Sequence, residues 1–154
     1  MIHRDKPLAL SLLVLLLLIG GCSRKEDPAE AKRNGEFQEM MSGVTLVGHS
    51  TRLDQDGMFG EERYMIDKVS KLTGDTWLFR TRLKYGSHEI PVPIPLTVRW
   101  AGDTPVISLT DLMIPGVGTY TARILLYRDQ YAGTWSGEKV GGQVFGKIIR
   151  SPQP

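Results

Sequence analysis

From Val44 to Arg150, apolar and polar residues alternate in eight short runs: 44–52, 62–71, 75–85, 88–100, 105–113, 119–128, 131–136 and 143–150. Turn-forming pairs punctuate them: Asp56-Gly57, Gly74-Asp75, Gly86-Ser87, Gly102-Asp103, Pro115-Gly116 and Gly141-Gly142. Alternation puts every second side chain on one face, so each run reads as a strand with a buried side. No amphipathic helix of useful length interrupts them. The pattern predicts an all-β fold: an antiparallel eight-stranded meander closed as an up-and-down barrel, or an open barrel or sandwich.

The run "HEIPVPIPLTVRW" (His88 to Trp100) tests that expectation, because Pro91, Pro93 and Pro95 occupy its polar positions and proline donates no ladder hydrogen bond. A two-residue loop at Gly86-Ser87 pairs Leu83 with Ile90, Thr81 with Val92, Phe79 with Ile94 and Trp77 with Leu96. Nearly all of these pairs are apolar and all lie on one face. A one-residue slip would invert one strand's faces, so the register is well determined. In this register every proline falls in a non-bonded pair, and the hairpin loses nothing. The opposite edge is blunted instead.

A turn at Gly102-Asp103 then sets Val98 opposite Ile107 and Leu96 opposite Leu109. One step further, Pro95 meets Thr110 where its N–H is needed, and Ile94 brings Asp111 onto the apolar face. The two strands should therefore part beyond Leu96 and Leu109, leaving a slot in the wall near Asp111 to Gly118. In the next hairpin, a turn at Asp129-Gln130 sets Ile124 opposite Trp135 and Leu126 opposite Gly133. The inward set of that hairpin is then Tyr120, Ala122, Ile124, Leu126, Tyr131 and Trp135. An interior ligand would be lined by Trp77, Phe79, Ile94, Leu96, Trp100, Tyr120 and Trp135. Some of the indoles should lie near a rim or polar cavity, since a buried indole N–H needs a partner.

The N-terminus is a targeting segment. Arg4 and Lys6 precede "LALSLLVLLLLI" (Leu8 to Ile19), an apolar run shorter than the roughly twenty residues that span a bilayer. "IGGC" (Ile19 to Cys22) resembles the lipobox of bacterial lipoproteins. That resemblance implies cleavage between Gly21 and Cys22 and diacylglycerol on the Cys22 thiol. Cys22 is the only cysteine, so no intramolecular disulfide employs it. Ser23 follows, where an Asp would favour retention at the inner membrane; the expected location is the outer membrane, facing the periplasm. Residues 1–21 are thus a signal peptide, 22–42 a lipidated cysteine and flexible tether, and 43–154 the barrel domain. The rival view of Ser23 to Ser42 is a short docking helix. The barrel outline is similar to lipocalin-like proteins, which implies an interior able to hold one small ligand. The tail "YAGTWSGEKVGGQVFGKI" resembles segments of exported planctomycete proteins, a resemblance that implies no activity.

Removing residues 1–21 takes away Arg4, Lys6 and Asp5, which lowers the net charge from +2 to about +1. That is no nucleic-acid footprint. Arg80, Arg82, Lys84 and Arg99 share the outer face of one hairpin; Arg80, Arg82 and Lys84 would contact an anionic surface if the face is more than a solvated one. Catalytic signals are weak. His49 and His88 stand alone, and "WSG" (Trp135 to Gly137) lacks a strand-to-helix elbow. "LDQDGMFGEERY" (Leu53 to Tyr64) has only part of a calcium loop's ligand spacing. "SGEKVGGQVFGK" lacks the ending of a phosphate loop. No metal or cofactor is expected. The chain reads as a non-catalytic binding or structural lipoprotein, membrane-attached through its lipid, that holds a small apolar ligand or an envelope protein partner. The alternative is an envelope hydrolase using Asp67, Asp111 and Glu61, although no spacing selects a pair.

Overall fold

The computed structural model describes residues 27–85, 88–114 and 118–150. Eight antiparallel strands follow one helix: α1 (Pro28–Met41), β1 (Val44–Ser50), β2 (Glu62–Thr73), β3 (Thr76–Tyr85), β4 (His88–Ala101), β5 (Thr104–Ile114), β6 (Gly118–Tyr127), β7 (Gln130–Ser136) and β8 (Gly141–Arg150). Each strand pairs with its sequence neighbours, and β1 pairs with β8, which closes an up-and-down barrel with a lipocalin-like outline. The leader, Cys22, and the turns at Gly86-Ser87 and Pro115-Gly116 lie outside the described residues.

The β3–β4 register is the one that alternation demands, with Tyr85 opposite His88, Phe79 opposite Ile94 and Trp77 opposite Leu96. Strands β6 and β7 keep the expected faces but pair two residues away from expectation. Tyr127 sits opposite Gln130, and Ile124 faces Gly133 rather than Trp135. The two-residue loop is Arg128-Asp129, with Arg128 in the left-handed region at φ 54, not Asp129-Gln130. A shift of two preserves the side-chain parity, so Ala122, Leu126 and Tyr131 are still buried. Gly141 and Gly142 are likewise not a turn; they begin β8.

Helix α1 corrects the expectation of a flexible tether. Asp27 caps it, its carboxylate accepting from the Ala29 N–H at 2.9 Å, and Pro28 occupies the first turn, where a missing N–H costs nothing. Ser42 ends it: its hydroxyl donates to the Gln38 carbonyl at 2.7 Å and accepts from the Val69 N–H at 2.9 Å. The helix buries Asn34, Phe37 and Met41, successive residues of one stripe. Phe37 enters the barrel end edge-on to Trp77, with ring centroids 4.9 Å apart, and meets Trp100 at 5.7 Å and Phe79 at 6.3 Å. Outside this aromatic plug, the Arg33 guanidinium lies 4.6 Å from the Trp100 ring centroid. The Lys71 ammonium pairs with Glu30 at 3.1 Å. One end of the barrel is therefore stoppered by the chain's own N-terminal helix, and behind it Val44, Val69, Val98, Ile107 and Leu126 form one buried apolar cluster.

Candidate functional site: a slot between β4 and β5

The prolines of β4 act where the backbone donors should point toward β5. The Val98 N–H donates to the Asp75 carbonyl at 2.8 Å, on the β3 side. Backbone groups alternate along a strand between its two neighbours. Leu96, Ile94 and Val92 therefore also aim their N–H groups at β3, and Pro95, Pro93 and Pro91 sit where the β5-facing donors belong. The β4–β5 ladder runs only from Ala101–Thr104 to Thr97–Ser108, one pair short of the expected Leu96–Leu109. The next bonded pair would be Pro95 with Thr110, and it does not form.

Strand β5 resolves the conflict at Asp111 with a bulge between Leu109 and Leu112. Asp111 takes φ 48, a left-handed conformation that Asp adopts more readily than most residues. The bulge turns Asp111 outward. There its N–H donates to the Thr121 hydroxyl at 3.0 Å, and its carboxylate accepts from the same hydroxyl at 3.1 Å. Leu112 returns to the inner face opposite Tyr120. Arg123 of β6 fastens the bulge: Nη1 donates to the carbonyls of Leu109 and Ala122, and Nη2 donates to the Thr110 hydroxyl at 3.0 Å.

The unzipped stretch leaves a cleft of about 450 Å³, within the roughly 300–1,000 Å³ range of small-molecule sites. Its outer lips are Pro95, Thr97 and Arg99 on one side and Ser108, Thr110 and Arg123 on the other. Leu96, Leu109 and Leu112 form its inner side. The lips are polar and cationic, the inside apolar.

Of the seven residues expected to line an interior ligand, only Leu96 borders this slot. Trp77 and Phe79 are wholly buried against Phe37, Trp100 packs on the same core from the plugged end, and Ile94 is half-buried on β4. Tyr120 and Trp135 lie together toward the other end of the barrel, with ring centroids 6.4 Å apart. Sequence reasoning passed over Ser108 and Arg123. Their part in the slot depends on the bulge, which no local pattern announces.

Several of the remaining candidates are absorbed by local partners. Arg82, expected to contact an anionic surface, pairs with Asp67 at 2.7 Å and Glu89 at 3.1 Å, so its charge is already met. Arg80 is exposed, and the side chain of Lys84 lies outside the described residues. Asp54 is held by Arg52 at 2.7 Å and Glu61 by Arg63 at 2.7 Å. The proposed hydrolase acids Asp67, Asp111 and Glu61 thus each answer to a different neighbour.

Toward the barrel's unplugged end, the Glu62 carboxylate accepts from the Ser50 hydroxyl at 2.6 Å and from the Tyr64 hydroxyl. Burial, and then the hydrogen bond to Glu62, raise the Tyr64 pKa above its ordinary value. Burial, with the Glu62 charge behind it, pushes Tyr131 up to about 12. A phenol whose folded-state pKa exceeds its unfolded value stabilises the fold fully below the unfolded pKa, near 10, and loses that contribution as pH rises through the folded one. Urea midpoints should accordingly fall between pH 9 and about pH 12, and Tyr131→Phe should flatten that fall. An unchanged slope in the variant would remove Tyr131 as its source.

Comparison of the chain with protein-family models and with curated proteins finds no match. The functional assignment therefore rests on the slot.

Proposed function

We propose that the protein is a lipid-anchored, non-catalytic binding module of the bacterial envelope, taking a small apolar ligand through the slot between β4 and β5. The observation that carries this reading is the cleft of about 450 Å³ at the one seam where a regular β4–β5 ladder is denied its donor. The stoppered end, with its buried apolar cluster behind the helix, supports a lateral site over entry through that end of a lipocalin-like barrel. Attachment rests on Ile19 to Cys22. Acyl chains contribute about 0.8 kcal/mol per buried CH₂, and two of them anchor stably where one does not.

Two experiments test the two halves. Cys22→Ser should leave unprocessed precursor and abolish labelling by radioactive palmitate; equal labelling of the variant would remove the anchor. Pro95→Thr restores the missing donor and should extend the ladder to Thr110, narrowing the slot. Binding of N-phenylnaphthylamine, excited through tryptophan so that only protein-bound probe emits, should weaken in that variant. Equal uptake by both proteins would place the ligand elsewhere.

A further inference from the structure

The chemistry of the two sides of the slot defines what fits it. Among the described residues, the only charged side chains lining it are Arg99 and Arg123. Arg99 is largely exposed, and its nearest acid, Asp75, is 3.9 Å away, a contact worth little in water. The hydrogen bonds of Arg123 go to two carbonyls and a hydroxyl, all neutral, while Asp111 spends its carboxylate on Thr121. Two cationic charges therefore stand at the lips without a carboxylate partner lining the slot. Behind them the inner side is Leu96, Leu109 and Leu112, which offer no hydrogen bonds. An extended peptide is a poor occupant, because Pro95 and Pro93 supply no N–H for a strand to pair with. A hydrocarbon chain needs none.

We propose that the slot receives a single-chain amphiphile with an anionic head, the chain lying on Leu96, Leu109 and Leu112 and the head held by Arg99 and Arg123. This inference rests on the slot being the binding site, as proposed above. The head chemistry is shared by fatty acids and monoacyl phosphates, and charge-assisted bonds from arginine suit either.

The test uses the full chain in phosphatidylcholine vesicles, photolabelled with diazirine analogues of dodecanoic acid, dodecanol and dodecylamine and mapped by peptide mass spectrometry. The acid should label the segments around Leu96 and Leu109 to Leu112 at least about tenfold more efficiently than the alcohol, as expected for loss of a charged hydrogen bond. Arg99→Glu, at an exposed position that the fold does not depend on, should bring acid labelling down to the alcohol's level. Competition with unlabelled dodecanoate and dodecyl phosphate then tells which head is preferred. Equal labelling by acid and alcohol, unmoved by Arg99→Glu, would overturn the head-group inference while leaving the slot as a ligand site. Preference for the amine would overturn it too. No labelling of the slot by any analogue, with label found elsewhere on the barrel, would overturn both.

Discussion

Phe37→Ala should destabilise the domain by about 3–5 kcal/mol, the usual range for emptying a buried phenylalanine site. Against a total stability of roughly 5–15 kcal/mol this is a large loss. The ring is 2 % exposed and touches Trp77, Phe79 and Trp100 together, so no single neighbour can close the gap. The helix has few other anchors. Asn34, Met41 at its C-terminal end, Arg33 over the Trp100 ring and the Glu30–Lys71 pair remain, and the last is a partly exposed ion pair worth under about 1 kcal/mol. Tryptophan emission should shift to the red as Trp77 and Trp100 meet water, and residues 28–41 should become open to protease while the barrel persists. Lys32→Ala, on the exposed face, should do neither. A stability change in Phe37→Ala below about 1 kcal/mol, with emission unmoved, would show that α1 does not stopper the barrel.

Gly48→Ala should also destabilise strongly, although alanine is intrinsically better than glycine in a regular element by roughly 0.5–1 kcal/mol. Gly48 pairs with Gly146 across the β1–β8 seam that closes the barrel, and the Tyr131 ring lies over the pair. A Cβ at Gly48 would fall 2.1 Å from the Phe145 carbonyl oxygen and 2.5 Å from the Tyr131 hydroxyl. The first of these is backbone and cannot swing aside. The seam must widen, and overpacking of this kind costs about 1–3 kcal/mol and occasionally more. Gly35→Ala provides the contrast. It sits in the helix interior with nothing within 4 Å of its added Cβ, and it should stabilise by the propensity difference alone, about 1 kcal/mol. Urea midpoints moving in opposite directions for the two substitutions would confirm that closeness at the seam, not glycine content, governs closure. A Gly48→Ala midpoint equal to the unmodified protein's would contradict it.

How far the sequence shows all this depends on how local the determinant is. The strands and the β3–β4 register follow from alternation and a two-residue turn, because a wrong register would have exposed Phe79 or Trp77. The end of the β4–β5 ladder is equally legible, since proline's missing donor is a property of the residue itself. The bulge is half legible: an aspartate arriving at an apolar face signals a conflict, but its solution depends on Thr121 and Arg123 from the next strand. The plug is hardest to see. It docks through Asn34, Phe37 and Met41, too short a stripe to register as an amphipathic helix, although Asp27-Pro28 does mark a helix start. The β6–β7 loop misleads because Asp129-Gln130 is a plausible turn, whereas the chain turns at Arg128 in a conformation arginine seldom takes.

The slot is where the prolines, the bulge and the two arginines meet, and amide hydrogen exchange tests it most directly. The Thr110 N–H faces β4 beyond the last β4–β5 pair, whereas Phe79 and Ile94 pair on an intact ladder, so exchange should be much faster at Thr110 than at Phe79. Pro95→Thr should slow it at Thr110. Protection at Thr110 equal to that of Phe79 in the unmodified protein would mean that β4 and β5 are zipped along their length and that the barrel has no slot.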